Sequence, residues 1–391
     1  MRRVLFVNAG DAETLAAIPV LADRYAAAVV TLSLDVGQDG HTMALRDRAL
    51  AAGALRAHVI DVREEFARDY VLKLLHAGAV RTDAAGQGAA LLRSLVVEKL
   101  LEVAAMEGAT FVAHGFAPQS GDAAYLERAI RLRRPEWVVI AAAALTPDAS
   151  GSPVRPQPGV DRHRVLALES TLWWRRIVLQ AAVPSAARIS VPAARAGLFT
   201  VVTPDRCPSV PASLALTFKE GVPVAINGIE MPLVELIEAA DTIAGDHGIG
   251  RVATTVEKDG AWRTEIVESP AAIVLSTAYE ALARAVASPA LWQIQRHLGR
   301  RYADLLRSGQ WMSDAREALD VFAAGTRQHL SGTVRLTLRR GRCRVIARDV
   351  TTPRESLVNR AVPGGSTPRL PATSDRVPVR VPPAVDVSLP H

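Results

Sequence analysis

Apolar runs and turn residues alternate along the first 145 residues. Val4-Leu5-Phe6-Val7 is uniformly apolar and is cut off by Asn8, Ala9, Gly10 and Asp11, after which Leu15, Ile18, Leu21, Ala22 and Tyr25 recur at helical spacing. An apolar run that enters a turn and then a helix is the signature of a buried parallel strand and its crossover. The pattern repeats: strand 29–34, helix 43–52 stopped at Gly53, strand 57–62, helix 64–76, helix 89–107 ended at Gly108, strand 110–113 and strand 138–143. This alternation predicts an α/β fold, a parallel sheet with helices on both faces. Beyond it, 146–161 is rich in Pro, Gly and Ser and predicts an exposed linker. Helices at 278–286 and 291–308, and a hairpin of 332–338 with 343–348, follow.

Composition changes little. Over 391 residues, 49% apolar and 22% charged residues suit a globular chain with room for two cores. The net charge of +6 permits anionic partners, but it comes with a general preference for arginine, and nucleic acid is not expected. Two cysteines make neither a disulfide framework nor a metal cluster, and no stretch is long enough to span a membrane, so a cytoplasmic protein is expected. Proline dominates the end of the chain, and residues 359–391 are expected to be a disordered tail.

The ordered runs Asp35-Val36-Gly37-Gln38, Arg63 to Val71 (REEFARDYV) and Val112-Ala113-His114-Gly115 resemble argininosuccinate synthase. So do Leu172-Trp173 with Arg175, Glu220 to Gly228, and the glycine-rich stretch Ile243 to Arg251 around His247. The resemblance spans residues 2–358. It implies an adenine nucleotide alpha hydrolase-like nucleotide-binding domain over 1–165, an α+β synthetase domain over 166–358, and an oligomer. It also implies ATP with magnesium as cofactor. In the family ATP adenylates the ureido oxygen of citrulline, and the aspartate amine then displaces AMP.

The residues that would do this work depart from the family pattern. The pyrophosphate loop Ser-Gly-Gly-Leu-Asp-Thr-Ser corresponds to Asn8 to Thr14, with one glycine and the acids Asp11 and Glu13 where phosphates would lie. If a nucleotide site is retained, Gly10, Thr14, Asp35 and Gly115 are its candidates. Among positions that hold substrate in the family, Ala85, Ala89, Ala90, Gly121, Tyr125, Arg176, Val178 and Val267 replace the expected polar groups, while Asp122 and Glu257 remain as substrate-binding candidates. Trp174 stands where the family has glycine, and the Trp173–Trp174 pair reads as packing or as a new aromatic surface. His247 reads as structural, and Arg339 to Arg342 as a solvated tip. The expectation is a degenerate or diverged family member, not competent for citrulline–aspartate ligation, with a true synthase or pathway enzyme as natural partner. The alternative is an active ATP-dependent C–N ligase acting on another ureido or carbonyl acceptor.

Overall fold

The computed structural model describes residues 2–10, 12–38, 42–80, 87–116, 121–145, 163–181, 201–202, 207–258 and 261–351. The expected linker at 146–161 and the proline-rich tail lie outside the described residues. In chain order the first half runs β1 (Arg3–Val7), α1 (Ala12–Tyr25), β2 (Ala28–Asp35), α2 (Thr42–Ala51), β3 (Arg56–Asp61), α3 (Arg63–Glu65), α4 (Leu72–His76), α5 (Gln87–Glu107), β4 (Phe111–His114), α6 (Gly121–Arg133) and β5 (Val138–Ala141). All five strands are parallel, in the order β3-β2-β1-β4-β5.

Central position explains the opening apolar run. Val4 and Phe6 face α1 and pack with Ile18 and Leu21. Leu5, between them, faces the other layer and packs with Val97 and Leu100 of α5 and Leu126 of α6. Each such side chain, fully withdrawn from water, stabilises the fold by about 1.5–3 kcal/mol. The strand order reverses direction at β1, between β2 and β4. Crevices of this kind, at the carboxyl ends of the strands, are where open α/β sheets bind ligands. The turn after β1 and the His114-Gly115 end of β4 both lie there.

Differences from the sequence expectation have local causes. The helix expected over 64–76 contains a π-helical stretch, Phe66–Val71, between α3 and α4, with Phe66, Tyr70 and Val71 buried. Strand β5 stops at Ala141, where Ala142–Ala144 forms a 3-10 turn.

The second half has two antiparallel sheets. One is β10-β9-β8-β13-β14 and the other β11-β12-β7-β6, from strands β6 (His163–Ser170), β7 (Arg175–Ala181), β8 (Ala212–Lys219), β9 (Val222–Ile226), β10 (Ile229–Glu230), β11 (Arg251–Lys258), β12 (Ala261–Glu268), β13 (Gly332–Arg339) and β14 (Arg342–Val350). Helices α7 (Leu233–Asp246), α8 (Pro270–Val286), α9 (Pro289–Arg307) and α10 (Asp314–Arg327) complete it. Helix α8 starts eight residues before the expected 278, because Pro270 opens it and its first turns (Ala271, Ala272, Val274, Leu275) are buried without a polar face. His247 caps α7, its Nδ1–H donating to the Ile243 carbonyl at 3.0 Å.

Candidate functional site

The turn after β1 is closed by its own side chains. Asn8 is buried, its Oδ1 accepts the Gly10 N–H at 2.9 Å, and its carbonyl accepts the Ser33 hydroxyl at 2.8 Å. Gly10 has φ +80°, and a Cβ there would overlap the Leu45 side chain of α2, so Leu45 lies directly over the turn. Thr14 is buried with its methyl against Gly115, where a Cβ would come within 2.6 Å. Thr14 and Gly115 thus meet at the switch point, whereas Gly10, in the same turn, faces Leu45 and Arg48. In this arrangement the Gly10 N–H that could receive a phosphate is bonded to Asn8, and Leu45 fills the space beside the Gly10 Cα. The residues present do not fit ATP in the manner the resemblance implies. Two donors do remain near the turn. Asn8 Nδ2 is buried with no partner, and Arg48 Nη2 lies 3.5 Å from where a Gly10 Cβ would be. The acids Asp11 and Glu13 give no side-chain geometry: Asp11 lies outside the described residues, as does the side chain of Glu13.

Asp35 ends β2, and its Oδ1 accepts the Gly37 N–H at 3.0 Å. Gln38 braces the same loop, accepting from Val36 N–H and donating to the Leu34 carbonyl, both at 2.7 Å. The loop docks on the next segment through Leu172 N–H to the Val36 carbonyl at 2.8 Å. Leu172 belongs to a tight turn in which the Thr171 hydroxyl accepts the N–H groups of Trp173 and Trp174.

That turn carries Trp174 onto the start of α5. Both tryptophans are buried, so the pair packs and does not form an aromatic surface. A Cβ on Gly88 would overlap the Trp174 indole, which lies flush on the backbone of the first turn of α5. The indole Nε1–H is buried and unpartnered. Among the residues that replace family substrate contacts, Ala89 and Ala90 are buried in the same turn, whereas Ala85 lies outside the described residues.

The remaining acceptor-side positions are tied to one another. Asp122, in the first turn of α6, pairs with Arg93 of α5. The Ser94 hydroxyl donates to the Ala90 carbonyl at 2.9 Å, so Tyr125 OH is the donor in the Tyr125–Ser94 hydrogen bond. Burial raises the Tyr125 hydroxyl above its ordinary pKa and keeps it protonated. Arg93 also lies over the Tyr125 ring, 5.2 Å from its centroid. His114 is fully buried. Desolvation holds it below the ordinary histidine range against the pull of Glu127, 3.7 Å away and beyond hydrogen-bond reach.

Across β7 and β12, Arg176 pairs with Glu265, and buried Glu268 takes Arg175 at 2.9 Å and Arg251 at 3.1 Å. Glu257 lies on β11 opposite Trp262; its side chain lies outside the described residues. Ser94, Leu45 and Arg48 were not picked out by sequence. Arg93 matches the family pattern, but it and Ser94 lie inside the expected helix 89–107 with partners about thirty positions away, and no local pattern marks their pairing.

Among the described residues no cluster of three or more His, Cys, Asp or Glu could hold a metal, and no helix is long and apolar enough to cross a membrane. The fold and this site define a HUP-type nucleotide-binding domain followed by a synthetase domain. The pattern of the arginosuccinate synthase N-terminal HUP domain matches residues 3–148, and that of the arginosuccinate synthase C-terminal domain matches 191–360. The argininosuccinate synthase of Pelotomaculum thermopropionicum is 32% identical over 359 residues, covering 88% of this chain and 86% of the relative. That of Dehalococcoides mccartyi is 30% identical over 354 residues, with the same coverage, and that of Pyrobaculum aerophilum 28% over 354 residues. The chain belongs to the argininosuccinate synthase family.

Proposed function

We propose that this chain is a diverged family member that does not ligate citrulline to aspartate and acts instead as a binding partner of a synthase or pathway enzyme. One observation carries the reading: the Trp174 indole lies on the backbone of Gly88, at the turn where the family's acceptor-binding hydroxyls are replaced by alanines. An acceptor would have to displace a buried indole and would then find neither the hydroxyls nor the arginine that Tyr125 replaces. A site built on hydrogen bonds loses affinity steeply when several are missing. Asp122, whose identity is retained, is committed to Arg93.

Calorimetric titration of the purified chain with citrulline, and separately with ATP and magnesium, tests this. The reading expects no citrulline binding at millimolar concentration; saturable binding would overturn it. The second reading, an ATP-dependent C–N ligase for another acceptor, has the unpartnered Asn8 Nδ2 and nearby Arg48 in its favour. It expects ATP binding that weakens in Arg48→Gln.

A further inference from the structure

A separate cavity of about 700 Å³ opens between the end of α4, helix α8 and helix α9. None of Gly10, Thr14, Asp35, Gly115, Asp122 or Glu257 lines it. Its size falls in the range of small-molecule sites. The two helical walls carry opposite charge. Arg296 and Arg300, one turn apart on α9, face the cavity from one side, and Glu280 and Thr277 of α8 face it from the other. Residues four apart on a helix project from the same face, so both guanidinium groups address one volume.

The charges are unequally satisfied. Burial raises the Glu280 carboxyl above its ordinary range against the lesser pull of Arg296 and Arg284, while among the described residues Arg300 has no carboxylate partner. His76, at the floor, adds no charge near neutral pH, because burial, with Arg327 nearby, pushes it down to about 4. Trp292 supplies an aromatic wall, and Arg284 lies over its ring, 5.8 Å from the centroid. Gln295, also on the wall, has a buried Oε1 that accepts no hydrogen bond. The volume is therefore bounded by a free guanidinium, a carboxylate across from it, and an apolar ring.

We propose that this cavity binds a free amino acid as a zwitterion, its carboxylate on Arg300 and Arg296 and its ammonium toward Glu280. A simple anion would use only the α9 wall, and a simple amine only the α8 wall. Opposed charges a short span apart select a ligand that carries both, and guanidinium forks suit carboxylate geometry.

The test uses the full chain in thermal-shift and calorimetric titrations with glycine, aspartate and arginine, and with inorganic phosphate and methylamine as half-ligands. Arg300→Gln and Glu280→Gln are the variants. Both positions are exposed, so their melting midpoints without ligand should match the parent. The expected result is saturable binding of at least one amino acid, one per chain, weakened about tenfold or more by each variant. Failure of all three amino acids at millimolar concentration overturns the proposal. So does binding that neither variant weakens. Phosphate binding as tightly as the amino acid, with no effect of Glu280→Gln, would show an anion site only and would also overturn it.

Discussion

The two sides of the crevice have changed in different ways. On the β1 side the backbone of a ligand-binding turn persists: Gly10 keeps its left-handed conformation, and Gly115 still takes the Thr14 methyl at close range. On the α5 side the small residue Gly88 also persists, but a tryptophan lies against it, and the neighbouring polar positions are either alanine or bonded to one another. The glycines that are present on the two sides are held by packing. Gly37 cannot carry a Cβ without crowding Leu172, nor Gly88 without striking Trp174. Set against the family pattern the chain resembles, the departures fall on polar side chains that this packing does not use. The contrast separates what holds the fold from what served a substrate.

The largest expected effect comes from breaking the α5 side directly. Gly88→Ala would ordinarily favour a helix, but here it should destabilise by about 3 kcal/mol through overpacking. Combined with Trp174→Gly, most of that cost should vanish, a coupling of about 2 kcal/mol in a denaturation cycle. Additive costs would mean that the indole does not occupy that space.

Tyr125→Phe should cost about 1 kcal/mol in urea unfolding, because it removes a donor while Ser94 keeps its bond to Ala90. Asp122→Asn, at a half-buried pair with Arg93, should cost less than about 1 kcal/mol. A much larger loss would make that pair a structural keystone.

On the β4 side the probe is pH. The folded state holds His114 neutral below the ordinary histidine pKa. Below about pH 6.5 the unfolded chain therefore binds the extra proton, and stability should fall on acidification by at most about 1.4 kcal/mol per pH unit. Above that pH the contribution is constant. Subtracting the profile of His114→Gln should isolate this slope, and identical profiles would place the acid sensitivity elsewhere.

The parallel sheet was legible because buried central strands read as mostly apolar runs: Val4 to Val7 is unbroken, and Val29 to Leu34 is interrupted only by the small polar residues Thr31 and Ser33. The sheet of β6, β7, β11 and β12 was not, since charged residues interrupt its strands. Arg175, Arg176, Glu265 and Glu268 read as surface positions until their partners across the sheet are known. Similarly, the early turns of α8 have no polar face to give helical periodicity. At the site, the missing hydroxyls and the oddity of Trp174 were visible once the residues were set against the family pattern they resemble. The internal use of Asp122 was not, because Arg93 lies on another helix, nor was Leu45 over Gly10, a contact made only when α2 packs against the turn.

The most direct measurement follows pyrophosphate release by the purified chain supplied with citrulline, aspartate, ATP and magnesium, beside an active argininosuccinate synthase. The account predicts release no faster than in the absence of citrulline. Citrulline-dependent turnover, with argininosuccinate formed in step, would contradict it.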